Sequence, residues 1–142
     1  MLLVYSETRR INELSETPEM QSLRLQAQIL DLSADVHEWG QNNYDPAMVP
    51  ALKSQAENIL HLTYRASILQ HLNDTKSDIP TLAHTIHNTF RRLQYSYDMA
   101  LVDTVIHSVG QIKTENKLLK DSVIDHHGEQ WRIYMHNIVL LV

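Results

Sequence analysis

The chain contains no cysteine, and that absence removes more classes of function than any residue it does contain. A disulfide framework, every cysteine-ligated zinc module, iron–sulfur ligation and a thiol nucleophile are excluded, and an intracellular compartment is the natural expectation. Glycine is scarce as well, with three residues in 142. So little glycine leaves scant material for a phosphate cradle, and no P-loop, Gly-x-Gly-x-x-Gly turn or Gly-x-Ser-x-Gly elbow occurs. Long hydrophobic runs are missing: Met1–Tyr5 is cut short by the polar stretch Ser6–Arg10, and Ile138–Val142 is five residues long. Both fall far below the roughly 20 apolar residues of a spanning helix, so neither export by a signal of that kind nor membrane insertion is expected. The C-terminal run reads instead as a plug packed against the domain. A basic excess is lacking too, since 12 Lys and Arg stand against 17 Asp and Glu for a net charge of −5. That balance argues against direct DNA binding by phosphate neutralisation.

What the chain does have is 43% hydrophobic residues in a length that suits one domain. A domain of this size buries roughly 68% of the surface its unfolded chain exposes, enough for a core without metal or disulfide. The reading is a single helical domain over 1–142, with 1–19 as an N-terminal extension. The fold class expected is all-α, an irregular array or bundle of four to six helices, because apolar residues recur three and four apart over long stretches. Leu25, Ile29, Leu32, Val36 and Trp39 lay one stripe along a first helix that Gly40 is expected to stop. Asp45 and Pro46 offer a cap and a first-turn proline for a second helix running to about His71, with Val49, Leu52, Ala56, Ile59, Leu60, Thr63, Tyr64, Ile68 and Leu72 on its stripe. The polar stretch Asn73–Asp78 makes a loop, and Asp78-Ile79-Pro80 opens a third helix through Leu82, Ile86, Phe90, Leu93 and Tyr97. Ala100, Leu101, Val105, Ile106 and Val109 either continue it or begin another, and Gly110 ends the stretch. Thr114 then caps a short helix through Leu118, Leu119 and Val123, and Asp125–Gly128 precedes a final helix holding Trp131, Tyr134, Met135 and Ile138.

Nine histidines are the compositional oddity. His84 and His87 lie at i, i+3 on one helical face, where a metal could bridge them, but no second Glu-x-x-His or His-Glu-x-x-His partner accompanies them. His61, His71, His107, His126, His127 and His136 sit at unrelated spacings. His37-Glu38 lacks the second histidine of a zincin, so no metal site is assigned. Asp31, Asp35 and Glu38 share one helix and could converge for acid–base work, although a solvated face is the simpler reading. Asp98 and Asp103 stand out because they fall among Tyr95, Tyr97 and Met99. Arg91 and Arg92 beside Phe90, Tyr95 and Tyr97 imitate a nucleic-acid patch, yet those aromatic residues are expected to fill the core. No catalytic, cofactor-binding or metal residue is assigned, and no cofactor is expected.

From Trp39 onward the order of features resembles the C-terminal helical regulatory region of fungal zinc-cluster transcription factors. The resemblance rests on Trp39 and its polar loop, and on Leu62-Thr63-Tyr64-Arg65-Ala66-Ser67-Ile68-Leu69-Gln70-His71-Leu72, similar to that family's Tyr-Arg-x-Ala-x-Leu-Ile-Tyr-Leu helix. Ile79-Pro80, the apolar Ala100–Gly110 stretch and the charged Glu115–Leu119 segment follow in the family's order. Trp131 and Met135 in Glu129–Met135, followed by Ile138–Val142, are similar to its closing Asp-Trp-x-x-x-Met segment. Asp103-Thr104 stands where the family commonly has Trp-Pro, and the cysteine-rich DNA-binding module is absent. The resemblance implies a non-enzymatic effector region, nuclear, that acts on a protein partner such as a transcription regulator or coactivator without contacting DNA itself. On this reading Trp39, Tyr64, Leu69, Phe90, Trp131 and Met135 are core residues holding the array. The alternative is a small homo-oligomeric helical adaptor or inhibitor of viral or bacterial origin, and a third reading is a histidine-dependent metalloprotein.

Overall fold

The computed structural model describes residues 18–119, and among them it shows five α-helices and no strand. Helix α1 is Pro18–Gln41, a 3-10 turn follows at Pro46–Met48, and then come α2, Val49–Thr63, α3, Ala66–Asp74, and α4, Ile79–Tyr95. Helix α5 covers 99–119. The all-α expectation holds for this region. The final helix expected around Trp131, the Val123 end of the expected short helix, the terminal apolar run and most of the N-terminal extension lie outside the described residues. No described helix is long and apolar enough to cross a membrane.

The long stripe of α1 behaves as its spacing requires, since Leu25, Ile29, Leu32 and Trp39 have no exposed surface and Val36 only 6%. Trp39 is the largest of the fully buried side chains among the described residues. Its indole Nε1 donates to the Asp45 carbonyl at 2.9 Å, and its ring meets Tyr44 edge-on at 5.1 Å and Phe90 at 5.8 Å. Those contacts tie the end of α1 to the turn beyond it and to α4. Among the first four helices, α2 is central, packing most extensively on α4 and next on α1. Leu52, Ala56 and Ile59 of α2 and Ile79, Ile86 and Phe90 of α4 fill the shared interface.

Helix α5 lies beside α1, where Val109 shares a groove with Val36 and Gly40, and its Val102, Val105, Val109 and Ile112 are all buried. Its buried Asn116 donates Nδ2 to the Gln26 carbonyl of α1 at 3.2 Å. Gln26 in turn donates to Ser22 Oγ at 3.2 Å. A buried amide pinned in this way resists sliding, because a register shift would leave it unpaired in the core.

Several boundaries differ from the local reading, each for an identifiable reason. Gly40 does not stop α1. The reversal is made by Asn43 and Tyr44, both left-handed at φ 57° and 55°, and Tyr44 N–H donates to the Trp39 carbonyl at 3.0 Å. A left-handed tyrosine costs about 1–2 kcal/mol, which its ring offsets by packing on Trp39. Gly40 serves that packing, because a Cβ there would stand 3.2 Å from the Tyr44 hydroxyl.

Asp45 caps as expected, accepting from Ala47 N–H at 3.0 Å, although the turn it opens is 3-10 before α2 proper begins. The single helix expected from Pro46 to His71 is two, broken at an extended Arg65. Thr63 and Ile68 are both buried but five residues apart, about 140° out of step at 100° per residue, so one straight helix could not bury both. At the α3–α4 loop, Asp78 makes no side-chain cap, and Ser77 Oγ accepts from Ile79 N–H at 3.2 Å instead.

The stretch from Pro80 to Val109 is also two helices. Gly110 and Thr114 are neither stop nor cap: both lie inside α5, where Thr114 Oγ1 donates to the Gly110 carbonyl at 3.2 Å. The buried series Val102, Val105, Val109, Ile112, Leu119 runs straight across Gly110, and its burial outweighs the modest helix penalty of one glycine. Tyr64, expected in the core, is 59% exposed, while Leu69 is half-buried.

Candidate functional site

An open, largely apolar concavity lies between the C-terminal half of α1 and the middle of α5. It measures about 460 Å³ and is lined by Ser33, Val36, His37, Gly40, Gln41 and Tyr44 on one side and by Ile106, Val109, Gly110 and Lys113 on the other. Two of the chain's three glycines therefore face the same groove. A Cβ at Gly110 would meet nothing within 4 Å, so the absence of a side chain there leaves space rather than permitting contact. Among the described residues no carboxylate lines the groove, and its charged or chargeable rim is Lys113 and His37. His37 Nε2 and Gln41 Nε2 lie 3.4 Å apart along that rim.

The groove continues into an aromatic corner between α4 and α5. Tyr97 donates its hydroxyl to the Tyr44 carbonyl at 3.0 Å and lies 3.5 Å from Met99 Sδ. Tyr95 is 83% exposed and Met99 50%, and Tyr97 and Ile106 are exposed beside them. The expectation that Tyr95 and Tyr97 fill the core is thus corrected: the helix ends at Tyr95, and the turn carries both rings away from the buried stripe of Ile86, Phe90 and Leu93. Phe90 alone of that group is in the core. Ile106 had a legible signal, since it falls one position off the stripe of Val102, Val105 and Val109 and must point elsewhere. Tyr44 had none, because its place follows from left-handed backbone at the turn.

The carboxylates resolve into three situations. Asp98 caps α5, its Oδ1 accepting from Ala100 N–H at 2.9 Å, which accounts for its place beside apolar residues. Asp103 is exposed one turn further on. Asp31 and Asp35 do converge, lining a hollow of about 340 Å³ with Gln28, Ala34, Gln55 and Asn58, and Gln55 Nε2 donates to Asp35 Oδ2 at 2.6 Å. Glu38 does not join them and is exposed.

His84 and His87 share the outer face of α4 without a third ligand. His84 Nδ1 lies 3.2 Å from Asn88 Nδ2, and no group of three His, Asp or Glu able to hold a metal occurs among the described residues. Burial lowers the His87 imidazole below its ordinary 6.5; Glu57 opposes that shift, while Lys53, Arg91 and His84 add to it. Arg91 and Arg92 are exposed on the same helix. His126, His127, His136, Trp131 and Met135 lie outside the described residues. No family model, curated protein or solved structure matches the chain.

Proposed function

We propose that this chain is a non-enzymatic protein-interaction module that receives an amphipathic helix of a partner in the α1–α5 groove. The observation that carries the reading is the continuity of an open apolar groove with the exposed Tyr97, Met99 and Ile106. Aromatic and methionine side chains in such a setting contribute large contact area at low cost in entropy, and they are enriched where proteins meet. Lys113 and His37 on a rim without carboxylates favour a partner helix whose flanks are acidic. The finer reading, a regulator-like effector module acting on a transcription regulator or coactivator in the nucleus, is supported by the order of sequence features from Trp39 onward.

The experiment is an affinity capture from fungal nuclear extract with the full chain and two variants, read by quantitative mass spectrometry. Ile106→Glu puts a charge into the groove, and Leu30→Glu puts one at an exposed apolar position, 52% accessible, on α1. Proteins retained by the wild type and by Leu30→Glu but lost at least tenfold with Ile106→Glu support the groove, and a zinc-cluster activator or coactivator among them supports the finer reading. Equal capture by all three, or capture of nothing above control by folded protein, sinks the proposal.

A further inference from the structure

Helix α2 carries strips of opposite charge on its two flanks, both on the same outward face of the molecule. On the α1 side lies the hollow with Asp31 and Asp35, tied to α2 by the Gln55–Asp35 hydrogen bond at 2.6 Å. On the α4 side Lys53 donates to Gln94 Oε1 at 3.0 Å and Arg91 continues that strip, with Glu57 and the imidazoles of His87 and His84 beside it. Helix α4 contains no carboxylate in its 17 residues, so its solvent face is basic in a chain whose net charge is −5. Lys53 and Gln55 are about 200° apart around α2, which places the two strips on opposite sides of its exposed ridge of Ser54, Asn58 and His61.

The heights of the strips along α2 match. Both α1 and α4 run antiparallel to α2. Asp35 meets Gln55 across a short connection, and Lys53 meets Gln94 while Glu57, one turn further along α2, acts on His87, earlier on α4. Asp35 is therefore level with residue 55, and Asp31, one turn back along α1, is level with Asn58 and Ile59, consistent with Asn58 lining the same hollow. On the other flank Arg91 precedes Gln94 by three residues, about 4.5 Å, and stands level with residue 56. His87 is a further turn on, level with about residue 60. A two-fold axis lying along α2 exchanges the flanks and preserves height. It sets Arg91, level with residue 56, opposite the hollow that Asp35 and Asp31 line, twice over.

We infer that two copies of this chain pair face to face across α1, α2 and α4, with Arg91 of each entering the acidic hollow of the other. The occupant is a second copy because one operator satisfies both strips at once, whereas an unrelated acidic or basic partner would satisfy one and be repelled by the other. Arg91 is exposed and free to extend, and the hollow offers it two carboxylates together with carboxamides. One length of α2 by two interaxial spacings, about 22 Å by about 20 Å, gives a face of roughly 450 Å² per copy, at the low end for a specific interface. The pair is accordingly weak and salt-sensitive. This face is distinct from the α1–α5 groove, so its fate is independent of the proposed partner-binding role.

The test is sedimentation velocity on the full chain over a hundredfold concentration range, in about 50 mM and about 500 mM NaCl. The wild type is expected to dimerise at low salt and to lose at least tenfold in association at high salt. Asp31→Arg and Arg91→Asp, both at exposed positions and checked for folding by circular dichroism, are each expected to be monomeric. Mixed together they are expected to form a heterodimer weaker than the wild-type pair, since one half of that interface keeps the native charges and the other brings the exchanged signs at positions 31 and 91 together beside an unchanged Asp35. A monomeric wild type at low salt, a dimer that survives both single changes, or a mixture that stays monomeric overturns the inference.

Discussion

Replacing Gly110 with alanine tests whether α5 truly runs through the residue that local sequence would choose as its end. In the structure Gly110 is exposed within a helix that continues for nine further described residues, its backbone is not left-handed, and an added Cβ meets nothing within 4 Å. Alanine should then gain the full difference in helix propensity, about 0.8–1 kcal/mol, with no steric cost. For an m-value of about 1.5 kcal/mol/M in urea, that is a rise in unfolding midpoint of roughly 0.6 M with unchanged slope. Gly40→Ala offers the same propensity gain inside α1 but brings a Cβ to 3.2 Å from the Tyr44 hydroxyl and 3.3 Å from its ring. That ring is held by Trp39 at 5.1 Å, so displacing it forfeits an aromatic contact of about 0.5–1.5 kcal/mol. Gly40→Ala should therefore be neutral or destabilising, about 1 kcal/mol below its counterpart. Urea unfolding followed by far-ultraviolet circular dichroism decides the matter. A lower midpoint for Gly110→Ala would refute the continuous α5, because alanine is penalised only where a glycine supplies a left-handed helix end.

Two further outcomes rest on single side chains. Asp98→Ala should cost about 1 kcal/mol in the same assay by removing the α5 cap, whereas Asp103→Ala on the exposed face should change stability by less than about 0.5 kcal/mol. His87 prefers the neutral form when folded, so between its lowered pKa and 6.5 the unfolded chain binds more protons. Stability should consequently rise with pH across that window and be lost on acidification through it. His87→Gln should flatten the dependence of the urea midpoint on pH between about 7 and 5, and an unchanged slope would count against the assignment.

The helices were legible because their period is a local property. Leu25, Ile29, Leu32, Val36 and Trp39 could be assigned to one buried stripe without knowing what covers them, and all five are buried. The polar stretch around Lys76 was equally readable, since no apolar period passes through it. Gly110 misled because a glycine's local preference is worth about 1 kcal/mol, while the decision belonged to burial of Val109 and Ile112 in a core built from residues far away in the chain. The Thr63–Ile68 mismatch was visible in principle, yet the absence of any Gly or Pro nearby hid the break at Arg65. Asp98 looked chemical for want of the helix start that it caps.

By itself the sequence determined the class of fold, the stripes that make the core, and the exclusion of every cysteine-dependent chemistry, because residue type and spacing act within a few turns of chain. Tertiary structure alone decided which aromatic residues face solvent, which two of three nearby carboxylates share a hollow, and that Gly40 and Gly110 line one groove. Those are relations between elements distant in sequence. They depend on how α1, α2, α4 and α5 pack, and packing energies summed over many buried contacts exceed the preference of any single residue.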